Sequence, residues 1–446
     1  MKGLTFVHVS DIHFGQERGG PLVTNTDIRD RLIDDVESFV KQLGRPADGA
    51  IVTGDIAYSG TKPEYETASG WLDKLAAAGG FSRTEVMVVP GNHDLDRGLV
   101  GDSGQHLVDK IVDKGEDQLE LYLHSDTDRQ ALYAKFSEYR LFAGSYGCAL
   151  SDAGGGSGEK SFYFDVARTR GLRLLGLNTA VVCGRSSDHV GKLLLGARQR
   201  IFQPAKDGME TIVLMHHPIH WCADETLALE YILARSRILM CGHEHVPNFQ
   251  VDEIQGRGSY LTLRAGAATP PEEKPKEGES TEMAPYTYNI IEFRCDGDHL
   301  EVRLHPRDWD ATSKKFKASQ RNMAVGKTCH IMKLRCHDDE PISEDSTAVS
   351  VPNTAEGLEG SMTTVEALQE PSPDDAVRLA NIRLNFFRQL SLPQRLSVLT
   401  TLGALPATVS EALLTVTIEL KALDRLVRTG MLEALEKQVA EQINQQ

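Results

Sequence analysis

Leu4-Thr5-Phe6-Val7-His8-Val9-Ser10-Asp11-Ile12-His13 is the stretch on which the fold turns. Residues 5–9 carry the alternating pattern of a β-strand, and the run breaks off in a short loop holding a carboxylate and an imidazole two residues apart. The same event recurs downstream: the apolar run 50–52 ends in Thr53-Gly54-Asp55, and 86–89 ends in Pro90-Gly91-Asn92-His93-Asp94. Helical patterns over 27–42 and 64–78 separate these runs. Such alternation predicts an α/β layered domain. Ligands of open α/β sheets bind beyond the carboxyl ends of strands, so the polar loops can converge.

Residues 97–160 break the alternation with helical segments and the glycine-rich Ala153-Gly154-Gly155-Gly156-Ser157-Gly158, and are expected to form a cap beside the site. Strands over 162–166 and 172–177 resume the layer, followed by helix-like 195–202, a strand at 211–215, helix-like 225–234 and a strand at 238–240. The last two strands deliver Met215-His216-His217 and Gly242-His243-Glu244-His245. Antiparallel-looking segments at 259–263, 286–293 and 300–304, interrupted by a charged loop at 271–280, are expected to complete a second sheet. Residues 338–372, rich in Asp, Glu, Ser, Thr and Pro, have linker composition. Apolar-periodic stretches at 377–390, 396–405 and 409–435 follow, with Pro393 and Pro406 as breaks and Gly430 inside the last. The expected division is therefore 1–317 as the α/β domain, 318–372 as an edge segment and linker, and 373–446 as a small all-α domain.

A chain of 446 residues suits two or three units at roughly 100–200 residues each. No stretch approaches the roughly 18 consecutive apolar residues of a membrane span, so no membrane role is expected. The start of the chain runs directly into the first strand without the apolar core of a signal peptide, which reads as cytoplasmic. Seven scattered cysteines, an odd number without regular spacing, predict reduced thiols. A formal net charge of −16 weighs against a protein held to nucleic acid by counterion release.

Phosphoester hydrolysis requires neutralising phosphoryl charge and producing hydroxide near neutral pH, which two neighbouring divalent metals can do. Mixed oxygen and nitrogen donors suit such a pair, and the chain offers them in five blocks: Asp11-Ile12-His13, Gly54-Asp55, Gly91-Asn92-His93-Asp94, His216-His217 and Gly242-His243-Glu244-His245. In order and type these blocks resemble the calcineurin-like metallophosphoesterase superfamily, whose pattern is D-x-H, G-D, G-N-H-D/E, H and G-H-x-H; the resemblance covers roughly residues 4–310. It implies a four-layer α-β-β-α sandwich with the helical cap inserted. It also implies that Asp11, His13, Asp55 and His245 hold one metal, and Asp55, Asn92, His216 and His243 a second, with a hydroxide shared between them as nucleophile. His93 is implied to contact the phosphoryl group or protonate the leaving oxygen, with Asp94 orienting its ring. A set of imidazole, carboxylate and amide without thiolate favours manganese, iron or zinc.

Other residues keep plainer readings. His217 is either a substrate-side or supporting group or a packing residue beside Pro218 and Trp221. Tyr58 sits where purple acid phosphatases place a ligating tyrosine, but His13 in the first block makes packing the expectation. Cys329-His330 and Cys336-His337 fit no common zinc spacing and are expected on an edge strand. Glu244 reads as a solvated loop residue and Asp96 as a turn residue.

Gly54-Asp55-Ile56-Ala57-Tyr58-Ser59-Gly60 lacks the arginine of the phosphoprotein phosphatases' Gly-Asp-x-x-Asp-Arg-Gly, which disfavours a phosphoprotein substrate. The blocks are most similar to the bacterial cyclic-nucleotide phosphodiesterase-like branch, implying a phosphodiester or nucleotide substrate. A nuclease, with Lys110, Lys114, Arg129, Lys135 and Arg140 lining a basic groove, is the second enzyme reading. A non-catalytic scaffold acting through the tail is the third. The tail resembles helical adaptor modules appended to bacterial effector enzymes, implying a protein partner, while a simple dimerisation or packing role remains open.

Overall fold

The computed structural model describes residues 2–17, 23–151, 153–185, 189–205, 208–254, 258–269, 286–321, 323, 327–336 and 372–445. The charged loop at 271–280, the linker at 338–371 and His337 lie outside the described residues.

The chain begins β1 (Leu4–Val9), α1 (Val23–Leu43), β2 (Gly49–Val52), α2 (Lys62–Gly79) and β3 (Val86–Val88). These three strands are parallel neighbours, and they are buried from end to end because both faces are covered. Helix α2 is well specified locally: Pro63 sits in its first turn, and Thr61 and Glu64 form a capping box. The cap follows as α3 (Asp102–Lys114), α4 (Glu116–His124), α5 (Asp126–Tyr133) and α6 (Ser137–Ser145), in agreement with the helical expectation for this segment.

A second sheet is built from β4 (Glu159–Tyr163), β5 (Gly171–Gly176), β6 (Met209–Leu214), β7 (Ile238–Cys241), β8 (Asn248–Ile254) and β9 (Gly258–Arg264), in the order β4-β5-β6-β7-β9-β8. Strands β5, β6, β7 and β9 are parallel. The helix expected at 195–202 is a single turn, α7 (Ala197–Arg200), and α8 (Glu225–Leu233) buries Ala228 and Ile232 in the core. The first strand of this sheet stops at Tyr163, short of the expected 166, because Asp165 accepts from the backbone N–H of Thr169 and Arg170 and turns the chain there.

The segments expected to complete the second sheet are divided between both sheets. Only β9 joins it, and it runs parallel to β7. β10 (Thr287–Asp296) pairs antiparallel with β1, and β11 (His299–Asp310) pairs with β10, so both extend the first sheet. Along the outer side of β11 lie β12 (Lys315–Ala318) and β13 (His330–Arg335), the latter being the expected edge strand, with His330 packed on the Phe249 ring at 4.4 Å. The sheets pack face to face through one core, in which Phe6 meets Phe162 edge-on at 4.8 Å.

The tail forms four helices where three stretches were expected: α9 (Pro373–Gln389), α10 (Leu392–Thr401), α11 (Val416–Arg428) and α12 (Leu432–Asn444). Pro393 lies in the first turn of α10, and Gly430, at φ 74°, separates α11 from α12. These helices enclose their own apolar cluster, and they also dock on the cap, with Leu141 and Ala149 packed against that cluster.

Candidate metal centre

All five polar blocks emerge from the C-terminal ends of parallel strands: Asp11 and His13 after β1, Asp55 after β2, Asn92 and His93 after β3, His216 after β6, and His243 and His245 after β7. The two sheets thus face their polar loops to one edge of the sandwich. Backbone conformation is specialised there. Asp11, His13, Asp55, His243 and His245 all take positive φ, between 51° and 72°. Such torsions are costly in side-chain-bearing residues and persist where the surroundings over-determine them, chiefly at functional sites.

Glycines make the close approach feasible. A Cβ on Gly91 would lie 2.1 Å from Asp55 Oδ1, one on Gly54 2.5 Å from His216 Nδ1, and one on Gly242 1.9 Å from Ser10 Oγ. The Gly of each of these three blocks therefore lets one polar loop pass another without a clash.

Asp55 lies at the middle, buried. Its Oδ2 is 3.4 Å from His13 Nε2 and 3.3 Å from His216 Nε2, while its Oδ1 accepts from the His93 backbone N–H at 2.8 Å. His216 Nε2 is also 3.1 Å from Asn92 Oδ1. On the other side, His245 Nε2 lies 3.3 Å from Asp11 Oδ1. The ring orientations come from backbone acceptors: His13 Nδ1 donates to Thr269 O at 3.0 Å and His216 Nδ1 to Thr53 O at 2.8 Å, leaving each Nε2 turned inward. Sequence patterns carry no sign of these carbonyls, because any residue type supplies one.

Electrostatically this is a site that wants cations. Burial disfavours charge on Asp55, yet the imidazoles of His216, His93 and His13 hold its carboxyl well below the usual range. Burial likewise opposes charging His216, and the Asp55 carboxylate outweighs it, raising the ring to about 10. Asp11 Oδ1 and His13 Nε2 are buried, and among the described residues neither makes a hydrogen bond; each has only an ion-pair neighbour, His245 Nε2 at 3.3 Å and Asp55 Oδ2 at 3.4 Å. Orphaned atoms of this kind, carboxylate and imidazole together, are the donors a divalent metal requires, and the residues fit it. Their ligand atoms gather within 4.8 Å as Asp11 with His13 and His245, Asp11 with Asp55 and His216, His13 with Asp55 and His93, and His216 with His217 and His243.

Several neighbours differ from expectation. Asp94 does not orient the His93 ring. Its carboxylate turns beneath the loop to accept from the backbone N–H groups of Ile56, Ala57 and Gly91 and from the Tyr65 hydroxyl, while burial, reinforced by Asp55, raises it to about 7. The His93 ring is held instead by Tyr58 O, which accepts from Nδ1 at 2.9 Å. Tyr58 is not simply packed: its ring stacks on His93 at 5.1 Å and is 37% exposed. His217 is fully buried; Thr179 Oγ1 accepts its backbone N–H and pairs with Nδ1 at 2.8 Å, and Nε2 has no partner among the described residues. Glu244 is ion-paired with Arg264 at 2.6 Å. Asp96 is a turn residue as expected, accepting from Gly98 N.

The basic groove does not form from the expected cap residues. Lys135 is buried and donates to Val181 O and Cys183 O, Arg140 is largely buried, and Arg129 is engaged with Leu123 O and Asp126. Lys110 and Lys114 stay exposed. No helix among the described residues is long and apolar enough to cross a membrane.

Comparison with known proteins finds relatives for both parts of the chain. The family model described as calcineurin-like phosphoesterase matches residues 4–247, and that of a GTPase-associated adaptor domain matches residues 378–441. The uncharacterized metallophosphoesterase-like protein YydB of Bacillus subtilis (strain 168) is 24% identical over 276 residues, covering 59% of this chain and 53% of that protein. The chain thus spans about half the length of the curated relative it matches. Among solved structures, a purple acid phosphatase from yellow lupin aligns at 10% identity and TM-score 0.35, covering 68% of this chain and 51% of that one. The NAD nucleotidase of Haemophilus influenzae aligns at 11% and 0.31, covering 71% and 54%. Vps29 of Chaetomium thermophilum aligns at 9% and 0.29, covering 75% and 99%.

Proposed function

Because the chain belongs to the calcineurin-like phosphoesterase family, we propose that it is a dinuclear metal-dependent hydrolase of nucleotide-type phosphodiesters. The observation that carries this reading is the buried Asp55 carboxylate, one of whose oxygens is set between His13 and His216 with Asn92 beside it. Asp11, His13, Asp55 and His245 would hold one ion, and Asp55, Asn92, His216 and His243 the other. When bound, such ions neutralise phosphoryl charge and lower the pKa of water. Manganese, iron and zinc all suit the donor set.

The protein's own groups do the rest. Asp55 compensates both sites with one anion. His93, with Nδ1 committed to Tyr58 O, offers its protonated Nε2 to contact the phosphoryl group or to donate that proton to the leaving oxygen. Asp94 braces the loop carrying Asn92 and His93 through three backbone amides. The exposed face of Tyr58 supplies a surface on which a nucleobase can stack, which favours a nucleotide ester. The loss of Lys135 and Arg140 to the interior makes a nuclease the weaker reading. We assign the tail to a protein partner, in keeping with the adaptor family it matches, and assign the whole molecule to the cytoplasm.

Metal-free protein reloaded with manganese tests this, with bis-p-nitrophenyl phosphate, p-nitrophenyl phosphate, cyclic nucleotides and single-stranded DNA as substrates. Diester turnover that disappears in Asp55→Ala is expected. Turnover confined to monoesters or DNA, or none at all, would replace this reading, the last outcome in favour of a scaffold.

A further inference from the structure

Between the two histidines of the Gly242-His243-Glu244-His245 block lies a side chain that the chemistry above does not use. Glu244 was expected in solvent, but its side chain is only 26% exposed and both carboxylate oxygens are occupied. Oε2 accepts from Arg264 at 2.6 Å; Oε1 accepts, more weakly, from the Trp221 indole N–H at 3.4 Å and lies 3.1 Å from His220 Nε2. These donors come from rigid and separate places. Arg264 ends β9, directly opposite Cys241 of β7. His220 and Trp221 belong to the turn that follows His216.

We propose that Glu244 is a positioning residue that locks His243 and His245 into their metal-facing conformations and ties their loop to the loop carrying His216. The need for a lock is visible in the backbone. His243 and His245 have φ of 72° and 58°, a region that side-chain-bearing residues leave unless held. On the inner side the block is held by Asp11 Oδ2, which accepts from His243 N at 3.2 Å, and by the Glu244 N–H bond to Gly242 O. Glu244 is the outer fastening. It also fixes Trp221, whose ring stands perpendicular to that of His243 at 4.2 Å and walls it in. Among the described residues neither His243 nor His245 has a hydrogen-bonded carbonyl behind its ring of the kind that orients His13 and His216, so there the loop itself sets their aim. Supporting groups of this kind tune metal affinity without touching the metal.

The inference rests on the metal-centre reading, and the test separates the two. Full-length apoprotein is titrated with Mn²⁺ by calorimetry, and the loaded protein is examined by electron paramagnetic resonance for the exchange-coupled manganese pair. Wild type is expected to take two ions and show the coupled signal. In Glu244→Ala at least one site is expected to weaken by about 10–100-fold with loss of coupling, and Glu244→Gln, which still accepts from Trp221, should recover part of the affinity. Trp221→Phe, which removes only the indole donor, should shift affinity in the same direction by less, and it serves should Glu244→Ala fail to fold. Normal loading and coupling in Glu244→Ala and Trp221→Phe overturns the inference alone. A wild type that binds no manganese overturns the metal centre and this inference with it.

Discussion

At the residue scale, the site is a set of charges arranged so that protons and metals compete for it. In the metal-free chain His216, raised to about 10 beside Asp55, is protonated at neutral pH. Its pairing with Asp55 stabilises the apoprotein fully below the ordinary imidazole pKa of about 6.5, and that contribution is lost as pH rises through about 10. Metal binding must expel this proton, so Mn²⁺ affinity is expected to climb with pH between 6 and 9, by up to about tenfold per unit for one proton. Calorimetry in two buffers of different ionisation enthalpy checks it, and absence of proton release contradicts it. Gly91 offers an independent test. A methyl group there would press on Asp55 Oδ1, so Gly91→Ala is expected to cost roughly 1–3 kcal/mol and to abolish tight manganese binding, seen by melting and titration together.

At the element scale, the identity of the strands was legible and their partners were not. Residues 286–293 and 300–304 show the period of strands, but that period says nothing about which sheet they join. The partner of β10 is β1, some 280 positions earlier, and pairing at that range leaves no local mark. That the five polar blocks come together was legible because metal chemistry restricts residue type and order. The carbonyls of Tyr58, Thr53 and Thr269 that aim the imidazoles were not, since every residue has one. In the tail, periodicity ran straight through 409–435, and the breaks came from single residues. Thr415 caps α11 by accepting from Ile418 N, and Gly430 ends it. Thr415→Ala is expected to cost about 1 kcal/mol, read as a lower melting temperature with manganese binding unchanged. A variant as stable as wild type would show that packing alone sets this helix start.

At the scale of the whole molecule, the tail has a core of its own and is nonetheless fastened to the catalytic half. Arg388 of α9 donates to both oxygens of Asp73 on α2, at 3.0 and 2.9 Å, and to the hydroxyl of Tyr146. Tyr146 meets Phe142 edge-on at 5.2 Å, Phe142 stacks on Tyr65 at 4.9 Å, and the Tyr65 hydroxyl reaches Asp94 at 3.1 Å. An unbroken line of contacts therefore joins the adaptor helices to the loop that carries Asn92 and His93. The seam closes where α6 presents Gly144 to the tail: a Cβ there would sit 2.8 Å from Val416 Cγ1, with Phe387 at 3.8 Å. Gly144→Leu cannot be absorbed by a rotamer change alone, so α9 and α11 must lift away, at a cost of roughly 1–3 kcal/mol. The tail's own cluster of Leu379, Phe386, Leu399, Leu423 and Leu435 does not depend on that contact, so its helices should persist. Hydrogen exchange is expected to quicken in α6 and along the docked face of α9 while β1 and β2 stay protected, and Arg388→Ala should move the same amides by less. Unchanged exchange in both variants would mean that the seam contributes nothing to holding the tail in place.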